Sequence, residues 1–197
     1  LDRNGRGNSP QTEAIARVMI PQGAWRRMLN EFHIDKELGG VVNKILIATG
    51  PKERAQAINL LYELNKGRKN YVTGPSGNAV GALLAAFDPL NNLSLVSLSH
   101  RKKLLKFLDL DYPIDFEKES IGRLIVQTNE VLREGLAAHG VSGSARTVSC
   151  FCYTREMEAL WLGRHDASVR SGDSEIQISV PTKSVEEDVQ VNPDQGD

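Results

Sequence analysis

Ile121-Gly122-Arg123-Leu124-Ile125-Val126-Gln127-Thr128-Asn129-Glu130-Val131-Leu132-Arg133-Glu134-Gly135-Leu136 carries the clearest periodicity in the chain. Ile121, Leu124, Ile125, Thr128, Val131, Leu132 and Leu136 recur at three- and four-residue steps. That spacing sets one face of an α-helix toward a core, because side chains so spaced stack on one side of a 3.6-residue turn. Asp115 stands near its start and Gly140 past its end, as helix boundaries favour.

The same period extends outward in both directions. Upstream, Trp25, Met28, Leu29 and Phe32 form one stripe. Pro21 ends a preceding segment, Ser9 to Ile20. Leu38, Val41, Val42, Ile45 and Leu46 form another stripe, with Asp35 as its N-cap. Pro51 marks a helix start, where a residue without an N–H loses nothing. That helix carries Ile58, Leu61 and Tyr62, and Gly67 reads as its stop. Ser76 caps a helix bearing Ala79, Val80, Leu83, Leu84 and Phe87, which stops before Pro89. An amphipathic segment from Leu93 to Leu108 follows, broken by the Asp111-Tyr112-Pro113 turn. Downstream, Ser144 to Leu162 reads as a last helix, with Val148, Phe151, Cys152, Arg155 and Leu162 on one side.

The predicted architecture is all-α. It comprises a flexible arm (1–9), a basic N-terminal helical subdomain (10–108) and a second helical subdomain (109–165), each with about four helices. An acidic tail (166–197) with little to bury is expected to be disordered. Within it only Ile176, Ile178 and Val180 alternate as a short strand would.

The chain has 197 residues, 40% hydrophobic and 25% charged, which is a globular composition. The longest uninterrupted apolar run, Ala82 to Phe87, falls far short of the ~18–20 residues of a membrane span. Leu1 to Gln11 is polar and Gly-rich, so no secretory signal is expected there. Two cysteines make no disulfide framework, and a reducing compartment is expected.

The net charge of −1 conceals a gradient. Residues 1–108 carry +8, residues 109–170 carry −3 and residues 171–197 carry −6. The first half is therefore suited to a polyanion. Arg101, Lys102, Lys103 and Lys106 form its densest cluster. Lys102, Lys103 and Lys106 fall within about 100° of helical arc, opposite Leu104, Leu105 and Leu108. Lys66, Arg68 and Lys69 form a second cluster, and Arg26 with Arg27 a third. A solvated face is the plain alternative for any one of them. Several basic residues together hold a protein at an anionic bilayer, each worth about 1 kcal/mol.

Other motifs read as structural. Thr73-Gly74-Pro75-Ser76-Gly77-Asn78 has the look of a phosphate loop but lacks the Gly-Lys-Ser/Thr ending. It is better read as a helix-capping turn. Cys150, Cys152 and His165 lack zinc spacing and a fourth ligand, so the cysteines read as small buried hydrophobes. No nucleophile–base pair is evident around His33, His100 or His139. No enzyme activity, metal or other cofactor is expected.

The order of several short blocks resembles the orthomyxovirus matrix proteins. These are Thr12-Glu13, Val18 and Ile20-Pro21-Gln22-Gly23, then Lys44-Ile45-Leu46 leading into Thr49-Gly50-Pro51-Lys52-Glu53-Arg54. An Asn/Gly/Pro-containing stretch (Asn65 to Asn78) and the helix with Arg101-Lys102-Lys103 and Lys106 follow. Cys150, Cys152 and His165 close the series. The likeness covers residues 11–165, departs in the acidic tail, and is closer in kind to a divergent, isavirus-type member. It implies a virion protein beneath the envelope that binds anionic phospholipid, polymerises with itself and contacts the viral ribonucleoprotein or its RNA. In the host cell it implies the cytoplasm, the inner plasma membrane and, through the basic helix, the nucleus.

Two other functions compete. One is a helical RNA-binding protein of nucleocapsid or regulatory type, although no helix-turn-helix, zinc finger or aromatic platform is present. The other is a small helical enzyme.

Overall fold

The computed structural model describes residues 20–110 and 112–163, and eight helices make up the regular structure among them. No strand occurs among the described residues. The helices are α1 (Gln22–Ile34), α2 (Lys36–Ile47), α3 (Pro51–Leu64), α4 (Asn78–Phe87), α5 (Leu98–Phe107), α6 (Ile121–Ala138), α7 (Ala145–Cys152) and α8 (Arg155–Leu162). The segment from Ser9, the tail and the expected strand at 176–180 lie outside the described residues.

Local chemistry sets most of the boundaries. The Asp35 side chain accepts a hydrogen bond from Leu38 N at 3.0 Å, satisfying one of the donors that open α2. Pro51 occupies the first turn of α3. Ser120, rather than Asp115, caps α6 by accepting from Arg123 N. Asp115 instead organises the preceding turn, accepting from Glu117 N at 3.0 Å.

α6 is the axis of the packing. It lies against α3, α5 and α7. Gly122 permits the approach to α3: a Cβ there would collide with the Ala55 carbonyl and the Asn59 side chain. Around α6 the apolar interior forms two clusters. The first gathers Trp25, Met28, Leu38, Ile45, Ile58, Leu61 and Val80 with Leu124 and Ile125. The second gathers Leu93, Leu95, Leu104 and Leu105 with Leu132, Leu136, Val148 and Trp161. Phe116 packs against both. Each fully buried leucine contributes about 2 kcal/mol through removal of its side chain from water.

Three helix boundaries differ from those the sequence pattern predicts. The Leu93–Leu108 helix begins only at Leu98. Residues 93–97 are non-helical, and their buried backbone is bonded from outside: Leu93 N donates to Asn129 Oδ1 at 2.8 Å, and Leu95 O accepts from Arg101 Nε at 2.6 Å. The Ser144–Leu162 helix is two helices, because Thr154 opens α8 by accepting from Met157 N. Ser76 does not cap α4. The capping position is Gly77, at φ +65°, while the Ser76 carbonyl accepts from Leu98 N at 3.0 Å.

The apolar interior also does not divide near Asp109. Leu93, Leu95, Leu104 and Leu105 precede that point and belong to the second cluster, while Leu124, Ile125 and Val126 follow it and belong to the first. One helix, α6, serves both clusters, and the described residues lie within one compact unit.

Candidate polyanion-binding surface

The lysines of α5 stand where the helical period puts them. Lys102, Lys103 and Lys106 are exposed, and Leu104 and Leu105 are fully buried behind them. Lys103 and the exposed Phe107 lie one turn apart on the same side. Lys102 Nζ sits 5.3 Å from the centre of the Phe116 ring, a cation–π distance.

Arg101 must be withdrawn from this surface. It is only 2% exposed. Its Nε donates to Leu95 O at 2.6 Å, and its Nη1 donates to Ile125 O at 2.7 Å and Thr128 Oγ1 at 3.1 Å. Burial pulls its pKa down to about 10, so the side chain remains a cation at neutral pH. The sequence did contain the signal. At 100° per residue, Arg101 falls between Leu105 and Leu108 on the apolar side of the helix, away from the lysines.

The second cluster is exposed in the loop after α3. Arg68 is partly neutralised there, since its Nη1 lies 2.9 Å from Asp35 Oδ2. That pair and the Leu38 N–H hold the Asp35 carboxyl below its usual range, the backbone bond being the larger cause. Lys66 and Lys69 are also exposed. Arg26 and Arg27, the third cluster, are exposed on α1 beside the buried Trp25. The Arg68–Asp35 contact ties the second cluster to the α1–α2 junction. Arg26 and Arg27 lie about 12 Å farther back along α1. No hydrogen bond or ion pair among the described residues joins the α5 lysines to either of the other clusters.

The remaining motifs have structural surroundings. The 73–78 turn is fixed by Tyr62, whose hydroxyl donates to Gly74 O at 2.7 Å. Cys152 is buried on α7 and Cys150 is half-buried, so only the former fully fits a core role. His165 lies outside the described residues. Among the described residues, no three His, Cys, Asp or Glu side chains are grouped to hold a metal ion.

No family model, curated protein or solved structure matches this chain.

Proposed function

We propose that this chain is a matrix-type coat protein, which adheres to anionic membrane through exposed basic residues, associates with itself and contacts a ribonucleoprotein. The carrying observation is the α5 face: three exposed lysines on a helix anchored by buried leucines, with an exposed phenylalanine beside them. Such a face supplies charge attraction together with a small apolar contact, as peripheral membrane binding requires. At about 1 kcal/mol per residue, the three lysines alone give roughly 3 kcal/mol, and Arg26, Arg27, Lys66 and Lys69 add to it if they reach the same surface. No helix among the described residues is long and apolar enough to cross a membrane. The ordered resemblance of residues 11–165 to the orthomyxovirus matrix proteins supports the same reading. It would place the protein in the virion beneath the envelope, and in the infected cell in the cytoplasm, at the inner plasma membrane and in the nucleus.

The same lysines would serve an RNA backbone, so RNA binding is the second reading. Flotation with phosphatidylserine-containing vesicles, run beside RNA binding at the same salt concentration, separates the two. Matched salt matters because both interactions are screened. Membrane binding at a salt concentration that abolishes RNA binding favours the coat protein. The reverse order favours the RNA-binding protein.

A further inference from the structure

Two arginines line one small cavity that the sequence gives no reason to expect. Arg101 lines it from α5 and Arg54 from α3, together with Thr49, Pro51, Asn92, Asn129 and Glu130. Its volume is about 70 Å³. No carboxylate lies within ion-pair distance of either arginine among the described residues. Arg54 is held in place by carbonyls, its Nε donating to Ile45 O at 3.3 Å and its Nη2 to Ala48 O at 2.5 Å. Arg101 is fixed by Leu95 O, Ile125 O and Thr128 Oγ1 through Nε and Nη1, and none of these bonds uses its Nη2.

The carbonyls and hydroxyl that hold the buried Arg101 supply partial charge but no full counter-charge, so an anion reaching the cavity is favoured. We propose that this cavity is a binding site for a single phosphate group. The volume exceeds that of one water and suits a tetrahedral oxyanion. Guanidinium forks match phosphate oxygens in spacing and direction. The first turn of α3 adds the positive end of a helix dipole, although Pro51 itself has no N–H to donate and Glu53 in the same turn opposes an anion. Glu130 opposes the anion from its exposed position at the rim. A wider groove of about 500 Å³ between α3 and α6 shares Pro51, Val126 and Glu130 with the cavity and is also lined by Lys52 and Arg123. A phosphate carrying an organic group therefore has room to extend outward. Free phosphate and the headgroup of a phospholipid are the two sources of this chemistry. The site stands independently of the coat-protein reading, since none of the α5 lysines lines it.

The test is a titration of the full chain with inorganic phosphate, against sodium chloride at equal ionic strength, followed by arginine side-chain NMR and thermal melting. Saturable shifts of the Arg101 and Arg54 Nε signals, with a melting temperature raised above the chloride control, are expected. Glu130→Gln should tighten phosphate about threefold by removing a nearby like charge, and Thr49→Glu should weaken it by a similar factor. Both changes are at exposed positions, so neither depends on the fold tolerating loss of Arg101. Glycerophosphoserine forms the second arm. The same shifts with it show that a lipid headgroup reaches the site, and shifts with inorganic phosphate alone assign it to the free ion. The proposal is overturned if phosphate moves only the exposed lysines, or if neither substitution changes its affinity.

Discussion

Arg101 lies in the same basic run as Lys103 and Lys106, yet substituting it should have a much larger effect than substituting either of them. Arg101→Ala leaves the buried Leu95 carbonyl without its Arg101 donor, removes a second bond from Ile125 O and opens a void in the core, and an unsatisfied buried polar group alone costs about 1–3 kcal/mol. A loss of about 3 kcal/mol in urea unfolding is expected. Lys103→Ala and Lys106→Ala should stay within about 0.5 kcal/mol, because both side chains are exposed. Equal effects at all three positions would contradict the burial of Arg101. Asp35 gives a pH-dependent case. Its folded-state pKa is depressed, so its contribution is present above its unfolded value near 3.8 and is lost as pH falls through the lower folded value. The stability difference between the native chain and Asp35→Asn should therefore be seen at pH 7 and shrink below about pH 4. A difference that grew with acidification would contradict the sign. The Asp35 cap was legible from the sequence because a cap is a local signal. Arg101 is harder to place from sequence, because its neighbours Lys102 and Lys103 suggest one basic cluster while its angle around the helix sets it with Leu105 and Leu108.

Elements were legible wherever a single face is buried. The stripes of α1, α2, α3, α4 and α6 bury most of the residues that their periods select, but Leu29 on α1 and Phe87 at the end of α4 are exposed. The period misled where tertiary bonds replaced helical ones. Residues 93–97 keep an apolar pattern compatible with a helix, but Asn129 and Arg101 supply the hydrogen bonds from distant positions. The α7–α8 break was hidden for a different reason. Thr154 reads as an ordinary helix residue until its hydroxyl is seen to bond Met157 N. Thr154→Ala should lower stability by about 1 kcal/mol, the usual effect of losing an N-cap, as measured by denaturant midpoint. Gly122→Ala tests the α3–α6 crossing. A methyl group has no space against the Ala55 carbonyl, so a loss of about 1–3 kcal/mol is expected, whereas Gly140→Ala at an exposed position meets no neighbour and is opposed only by its positive φ. Equal tolerance of both changes would mean the helices pack less closely than described.

At the scale of the whole molecule, the charge gradient and the shared core bear on assembly. The all-helical class was legible from the sequence, but the division near Asp109 was not. A turn is a local signal, while α6 joins two apolar clusters whose members come from both sides of that turn. The proposed self-association would be a head-to-tail contact, which grows without closing, and the opposite charges of residues 1–108 and 109–170, +8 and −3, would favour it only where they lie on different faces of one copy. Exposed ion pairs are individually weak, so apolar packing must supply most of the affinity. Sedimentation should show oligomers at low salt that dissociate as salt rises. A strict monomer at high concentration, in solution and on vesicles, would contradict polymerisation. Membrane attachment is tested by comparing the native chain with a Lys102→Glu, Lys103→Glu, Lys106→Glu variant in vesicle flotation. Arg101 is left intact because its burial would confound binding with unfolding. The native chain should float with phosphatidylserine-containing vesicles and not with neutral ones, and the folded variant should lose most of this binding. Equal flotation of both proteins, or equal binding to neutral vesicles, would contradict that expectation.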